Sequence, residues 1–170
     1  MKDQLEKISI RARVAFIVLC IENVLKNNNS YSKWNKVLEI FWLQTSIQFV
    51  DEWLYEISKV MPECILEDEY EENETISFKE YSELKVLYLN TPKYLFELME
   101  FAFECGTVDL YGAIENNSEN TILPVLKCID MLKEKNIELP NIEFLKKYNI
   151  SENGGWGNPF TKEDIFNENI

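Results

Sequence analysis

The chain contains no histidine. That removes the commonest general base and metal ligand at neutral pH, and with it the Ser–His and Cys–His nucleophile pairs. The expectation is a protein that is not an enzyme, with no catalytic residue, no cofactor and no metal site. Glycine and proline are scarce, five each in 170 residues, and three of the glycines fall together at Gly154, Gly155 and Gly157. With so few breakers before that point, long helices are expected. The four cysteines, Cys20, Cys64, Cys105 and Cys128, lack any C-x-x-C spacing, which argues against zinc and for buried thiols. Bases are few, 17 against 30 acids, for a net charge of −13. This excess argues against nucleic acid and anionic membranes as partners, and favours a cationic partner or plain solubility. The opening MKDQLEK carries acids and no apolar core, so it does not read as a signal peptide, and a reducing cytoplasm is the expected compartment.

What is present begins with residues 8–26, ISIRARVAFIVLCIENVLK. Residues 14–21 are all apolar. A helix apolar on every side must be surrounded by protein, and this run is too short for a bilayer, which takes about 20 apolar residues. The reading is a central helix over residues 3–26, ended by a turn at 27–30, in an all-α single domain of about five or six bundled helices spanning residues 1–170.

From Ser32, a candidate N-cap, apolar residues recur at helical steps through Trp34, Val37, Leu38, Phe41 and Trp42, and again from Phe49 to Met61. A bend or break is expected near Gln44-Thr45-Ser46. Residues 62–76 lose the pattern. Glu63, Glu67, Asp68, Glu69, Glu71, Glu72 and Glu74 place seven acids there with no base between, so an exposed loop is expected. Ser77-Phe78-Lys79-Glu80 is a capping box opening a third helix to about Leu89. Pro92 is expected at the first position of a fourth helix, closed by Gly106. Residues 108–114 fit either a loop or a short helix. A fifth helix is expected over 120–135, with Pro124 in its first turn and Asn136 as its stop, and one more turn within 142–148. The final stretch carries Trp156 and Phe160 as anchors and reads as an ordered arm, fraying after Phe166.

Several groups invite a chemical reading. Glu97, Glu100 and Glu104 share one side of the fourth helix, but carboxylate metal sites in helical bundles need Glu-x-x-His pairs, so a wetted helix face is favoured. Asp51 and Glu52 beside Trp53 suggest an acid–base dyad. The preferred reading is that one of them pairs with Arg11 or Arg13, which flank a buried helix and need anionic partners. The Gly154-Gly155-Trp156-Gly157 run lacks the P-loop pattern and reads as a tight turn seating Trp156. The acid-rich segment is the most suggestive: Glu67, Asp68, Glu69, Tyr70, Glu71 and Glu72 combine charge that steers a basic protein with an aromatic anchor, and they are the expected partner-contact residues.

The N-terminal RARVAFIVLCIENVL and C-terminal ELPNIEFLKKYNISENGGWGNPF resemble an all-helical family of immunity proteins from bacterial polymorphic-toxin systems. The resemblance implies a small cytoplasmic protein that binds and blocks a cognate toxin domain, expected to be basic and in many such systems a nuclease. It carries no catalytic residues over. Rival readings are a regulatory or scaffold protein, with homodimerisation through exposed apolar helix faces, and a carboxylate enzyme built on Asp51 or Glu52.

Overall fold

The apolar run becomes a helix with no exposed side. In a computed structural model, which describes residues 1–67, 69–70, 76–112, 114–115 and 117–167, the chain is helical, with no strand among the described residues. After a short α1 (Lys2–Leu5), α2 (Ile10–Asn27) is buried along nearly its whole length. It packs against α3 (Asn35–Ser46), α7 (Lys93–Thr107) and α8 (Glu119–Glu134). The remaining elements are a 3-10 turn (Tyr31–Trp34), α4 (Val50–Ser58), α5 (Pro62–Leu66), α6 (Phe78–Leu89), two further 3-10 turns (Ile142–Leu145 and Asn153–Gly155) and α9 (Lys162–Phe166). No described helix is long and apolar enough to cross a membrane.

The central helix starts later than its apolar pattern suggests. Residues 6–9 leave the helix because their backbone is engaged elsewhere. Ser9 N–H donates to Tyr148 O at 2.9 Å, and Ile150 N–H donates to Lys7 O at 3.0 Å. Ser9 then caps α2, its hydroxyl accepting from Ala12 N–H, and Arg11 N–H finds Trp156 O at 3.2 Å. These bonds satisfy amides that a helix start leaves open. Gly157 closes this junction. Its φ is +83°, and a Cβ there would lie 2.4 Å from Ser9 Oγ, so only glycine fits.

Two helices end alike. Asn29 and Asn136 both take left-handed φ, 51° and 55°. In each case the following amide reaches back to a carbonyl one turn inside: Ser30 to Leu25 O at 3.0 Å and Ile137 to Leu132 O at 2.9 Å. This six-to-one bond marks a Schellman end, with asparagine in the position glycine usually takes. Asn136 is thus the stop that was expected for the fifth helix.

The break between α3 and α4 falls at residues 47–49, just past the expected bend. Four other boundaries differ from the sequence reading. The 3-10 turn precedes α3, and Ser32 lies within that turn rather than capping a helix. Residues 62–66 are helical, not loop, because Pro62 sits at the first position and Pro62 and Ile65 are buried. Pro92 stands just before α7 as its N-cap. Gly106 lies within α7 and does not close it; a Cβ there would sit 2.7 Å from the Trp53 ring, so the glycine admits Trp53 against the helix backbone. Because α8 begins at Glu119, Pro124 falls in its second turn and removes one backbone bond. The capping box at Ser77 and Glu80 is formed, with both reciprocal bonds present. Residues 108–110 make turns, whereas Ala113 and Asn116 lie outside the described residues.

Candidate protein-binding surface

A concavity of about 850 Å³ lies between α6 and the surface formed by the first 3-10 turn, α3 and the start of α7. Its floor is apolar, with Trp34, Val37, Ile40, Leu84 and Leu87 among its walls. Charged pairs stand at its rim. Lys36 Nζ reaches Glu80 at 3.5 Å, from α3 to α6, and Lys59 binds Glu56 at 2.8 Å. Glu80 is held below the usual carboxylate range, first by its bonds with Ser77 and then by Lys36. Val86, 63% exposed, stands at the same rim, and Leu89 at the end of α6 is 70% exposed.

One side chain fastens α6 over this groove. Tyr88 is buried, its hydroxyl donates to Val60 O at 2.5 Å, and its ring packs against Trp34 and Phe96 at 5.5 Å each. Burial pushes its pKa well up, so it stays a neutral donor.

The acid-rich segment meets this groove at Ile76, which is one of its walls. Of the six expected contact residues, Glu67 and Glu69 are exposed and Tyr70 is half-buried, whereas Asp68, Glu71 and Glu72 lie outside the described residues. Tyr70 faces inward more than a protruding anchor does. Its ring lies 5.2 Å from Phe78 and 5.3 Å from Tyr81, and its hydroxyl donates to Ile76 O. The exposed aromatic here is Phe78, at 63%. Sequence reasoning passed over it because it lies inside the capping box, where attention goes to the capping residues. A large apolar residue at the first helical position beside an acid run was the available signal.

The other candidates resolve into structure. Glu97 and Glu100 are exposed, and Glu104 is half-buried 3.7 Å from Lys127, as a wetted face requires. No group of three or more acids and cysteines able to hold a metal occurs among the described residues. Cys20, Cys105 and Cys128 are buried, and burial raises the Cys20 and Cys105 thiols.

Asp51 and Glu52 are both exposed in the first turn of α4, and neither pairs with Arg11 or Arg13. The expected ion pairs are replaced by backbone carbonyls. Arg11, 1% exposed, donates to Gln44 O and Gln48 O. Arg13, fully buried, donates to Leu5 O and Ser118 O at 3.0 Å and to Thr121 Oγ1 at 2.6 Å. Carbonyl oxygens at chain ends and breaks are free to accept, and several together can hold a guanidinium without a carboxylate. Burial still pulls both arginine pKa values down to about 10, so both remain charged at neutral pH. Asp109 joins the Arg13 network indirectly, accepting from Ser118 Oγ at 2.6 Å and Asn120 Nδ2 at 3.0 Å.

A second polar cluster escaped the sequence reading. Glu22, the sole acid of residues 8–26, is 1% exposed on α2. Its Oε1 accepts from Trp42 Nε1 at 2.8 Å and from Lys162 Nζ at 2.6 Å, and Lys162 also reaches Tyr31 Oη at 3.1 Å. Burial works against the Lys162 charge, but the bonds to Glu22 and Tyr31 prevail and raise its pKa. The sole acid of a mostly apolar helix was the signal; its lysine lies 140 residues away.

Compared with protein families, curated proteins and solved structures, the chain matches none.

Proposed function

We propose that this chain is an immunity protein, neutralising a basic bacterial toxin domain by stoichiometric binding through the face where the acid-rich segment adjoins the groove beside α6. The observation that carries this reading is continuity. Tyr70 packs on Phe78 and donates to the carbonyl of Ile76, a wall of the apolar groove, and exposed Glu67 and Glu69 lie within three residues of Tyr70 in the chain. Acids give fast, oriented encounter with a cationic partner, and a groove with aromatic neighbours gives the desolvated contact that holds it. In this reading the helices act as one bundle of a single domain around α2, with residues 151–170, of which 168–170 lie outside the described residues, as an arm. The bonds from Arg11 to Trp156 O and from Phe160 N–H to Thr45 O support the arm. The cytoplasm is the compartment in which such an inhibitor meets its toxin.

The test has two stages. A large secreted-toxin gene beside this one identifies the partner, and co-expression rescues cells from it. With that toxin domain in hand, Glu67→Lys combined with Glu69→Lys slows association about tenfold or more at low salt, the scale of electrostatic steering. The effect shrinks as salt rises. Unchanged association removes the acidic segment from the mechanism.

The homodimer reading rests on a separate observation, the exposure of Val86 and Leu89 along one helix. Mass in solution decides it: a dimer that Val86→Asp dissociates assigns this face to a second copy.

A further inference from the structure

The Glu22 cluster has the composition of an ammonium-binding cage. The Lys162 Nζ lies 5.5 Å from the Trp42 ring centroid and 5.7 Å from that of Tyr31. It donates to the buried Glu22 carboxylate at 2.6 Å and to Tyr31 Oη at 3.1 Å. A buried carboxylate beside a phenolic oxygen is an arrangement that binds ammonium groups, because both oxygens accept the cation's N–H donors and the desolvated anion attracts its charge. The cage is not filled by Lys162 alone. A pocket of about 330 Å³ opens beside it, with Glu39 and Glu163 among its walls. The second Glu22 oxygen is buried and accepts no hydrogen bond; Lys26 Nζ lies 3.6 Å from it.

Lys162 is also separable from what holds its own segment. On α9, Ile165 is buried, Phe166 packs edge-on against Phe144 at 5.6 Å, and Lys147 donates to Asp164 O and Asn167 O. The Thr161–Asp164 capping box closes the helix start. None of these contacts uses the Lys162 ammonium, so the cage can lose its occupant while α9 stays docked.

We propose that Glu22, Tyr31 and Trp42 form a binding site for a primary alkylammonium, occupied in this structure by the chain's own Lys162 and able to take an external ammonium in its place. The external group is a lysine side chain of another polypeptide or a free alkylamine; both present the same three N–H donors on an alkyl stem. The inference stands apart from the toxin reading, since it uses neither the acid-rich segment nor the groove beside α6.

The experiment is chemical complementation of Lys162→Ala, with Lys162→Met as a second variant that keeps the stem's packing. Each is titrated with n-butylammonium chloride, with 1-butanol and tetramethylammonium chloride as controls, and followed by tryptophan fluorescence and thermal unfolding. Both variants gain a saturable fluorescence change and a raised Tm with butylammonium. Butanol, which has no charge, and tetramethylammonium, which has no N–H to give Glu22, produce neither. Wild type requires at least about tenfold more butylammonium, because its own lysine competes; the factor is that of one charge-assisted hydrogen bond. Glu22→Gln in the Lys162→Met background weakens binding by about the same factor.

The lysine analogue Nα-acetyl-lysine methylamide separates the two sources. Tighter binding than butylammonium assigns the site to a polypeptide lysine, and weaker binding to a free amine. Absence of a saturable signal in both folded variants overturns the proposal. So does equal binding by wild type, or an equal response to tetramethylammonium.

Discussion

Helices α2 and α6 are held in opposite ways. Around α2 the whole circumference is buried, and no single residue carries its attachment. On α6 only Tyr81 and Tyr88 are buried, and its principal helix neighbour is the short α5. A helix enclosed on all sides opens only when the protein unfolds. A helix fastened by one or two aromatic side chains can open locally, with a smaller free energy. The groove lies beside the second kind. A binding face that must adapt to a partner is better built on an element that can shift than on the core.

The largest effect should come from the core. Phe16→Ala on α2 removes a fully buried ring and should destabilise by about 4 kcal/mol, lowering global stability in denaturant titration. Tyr88→Ala should cost somewhat less, about 3 kcal/mol, and in a different place. Hydrogen exchange should speed up across residues 78–89 while α2 amides keep their protection. If α2 amides lose protection equally, α6 belongs to the same cooperative unit and the contrast between the two helices disappears.

Gly106→Ala probes the packing of α4 against α7. The added methyl meets the Trp53 ring, whose Nε1 donates to Ile40 O at 2.7 Å and so resists movement. The expected loss is about 1–3 kcal/mol, read as a lower denaturation midpoint. A neutral result would mean that Trp53 can tilt away.

What was legible in the sequence follows from distance along the chain. The capping box at Ser77 and Glu80 needs only neighbours three residues apart, and the burial of residues 14–21 is written in their composition. The break at Ser9 was not legible, because the bonds that stop the helix come from Tyr148 and Ile150. Gly106 read as a helix end because glycine serves there as often as in close packing, and only the position of Trp53 separates the two uses. Arg11 and Arg13 were expected to pair with an acid, Asp51 or Glu52; the carbonyls that hold them instead carry no sequence signature. For the candidate surface, the acids were visible as charge. The groove was not, since it arises between α6 and residues of α3 and α7 that are distant in the chain.

A pH titration distinguishes the Glu22–Lys162 contact from both helices. The Lys162 pKa is raised above the ordinary 10.5, by Glu22 and Tyr31 against the opposing effect of burial. Its stabilising contribution is therefore complete below about pH 10.5 and is lost as pH climbs through the higher folded value. Thermal unfolding of Lys162→Met should differ most from wild type near neutral pH, and the two Tm curves should converge in alkali. Parallel curves would mean that the stem, not the charge, supplies the stabilisation.

The smallest stability effect is expected at Val86, and it carries the most about function. Val86 is 63% exposed on α6 and its branched side chain is mildly unfavourable in a helix, so Val86→Ser should leave unfolding within about 0.5 kcal/mol of wild type. Serine removes apolar area from the rim of the groove without adding charge. If that face grips a partner as proposed, dissociation from that partner should quicken while association, which the proposal assigns to the acids, stays the same. If α6 is only a covering element, neither rate changes. Loss of stability without change in either rate would place Val86 in the fold and out of the interface.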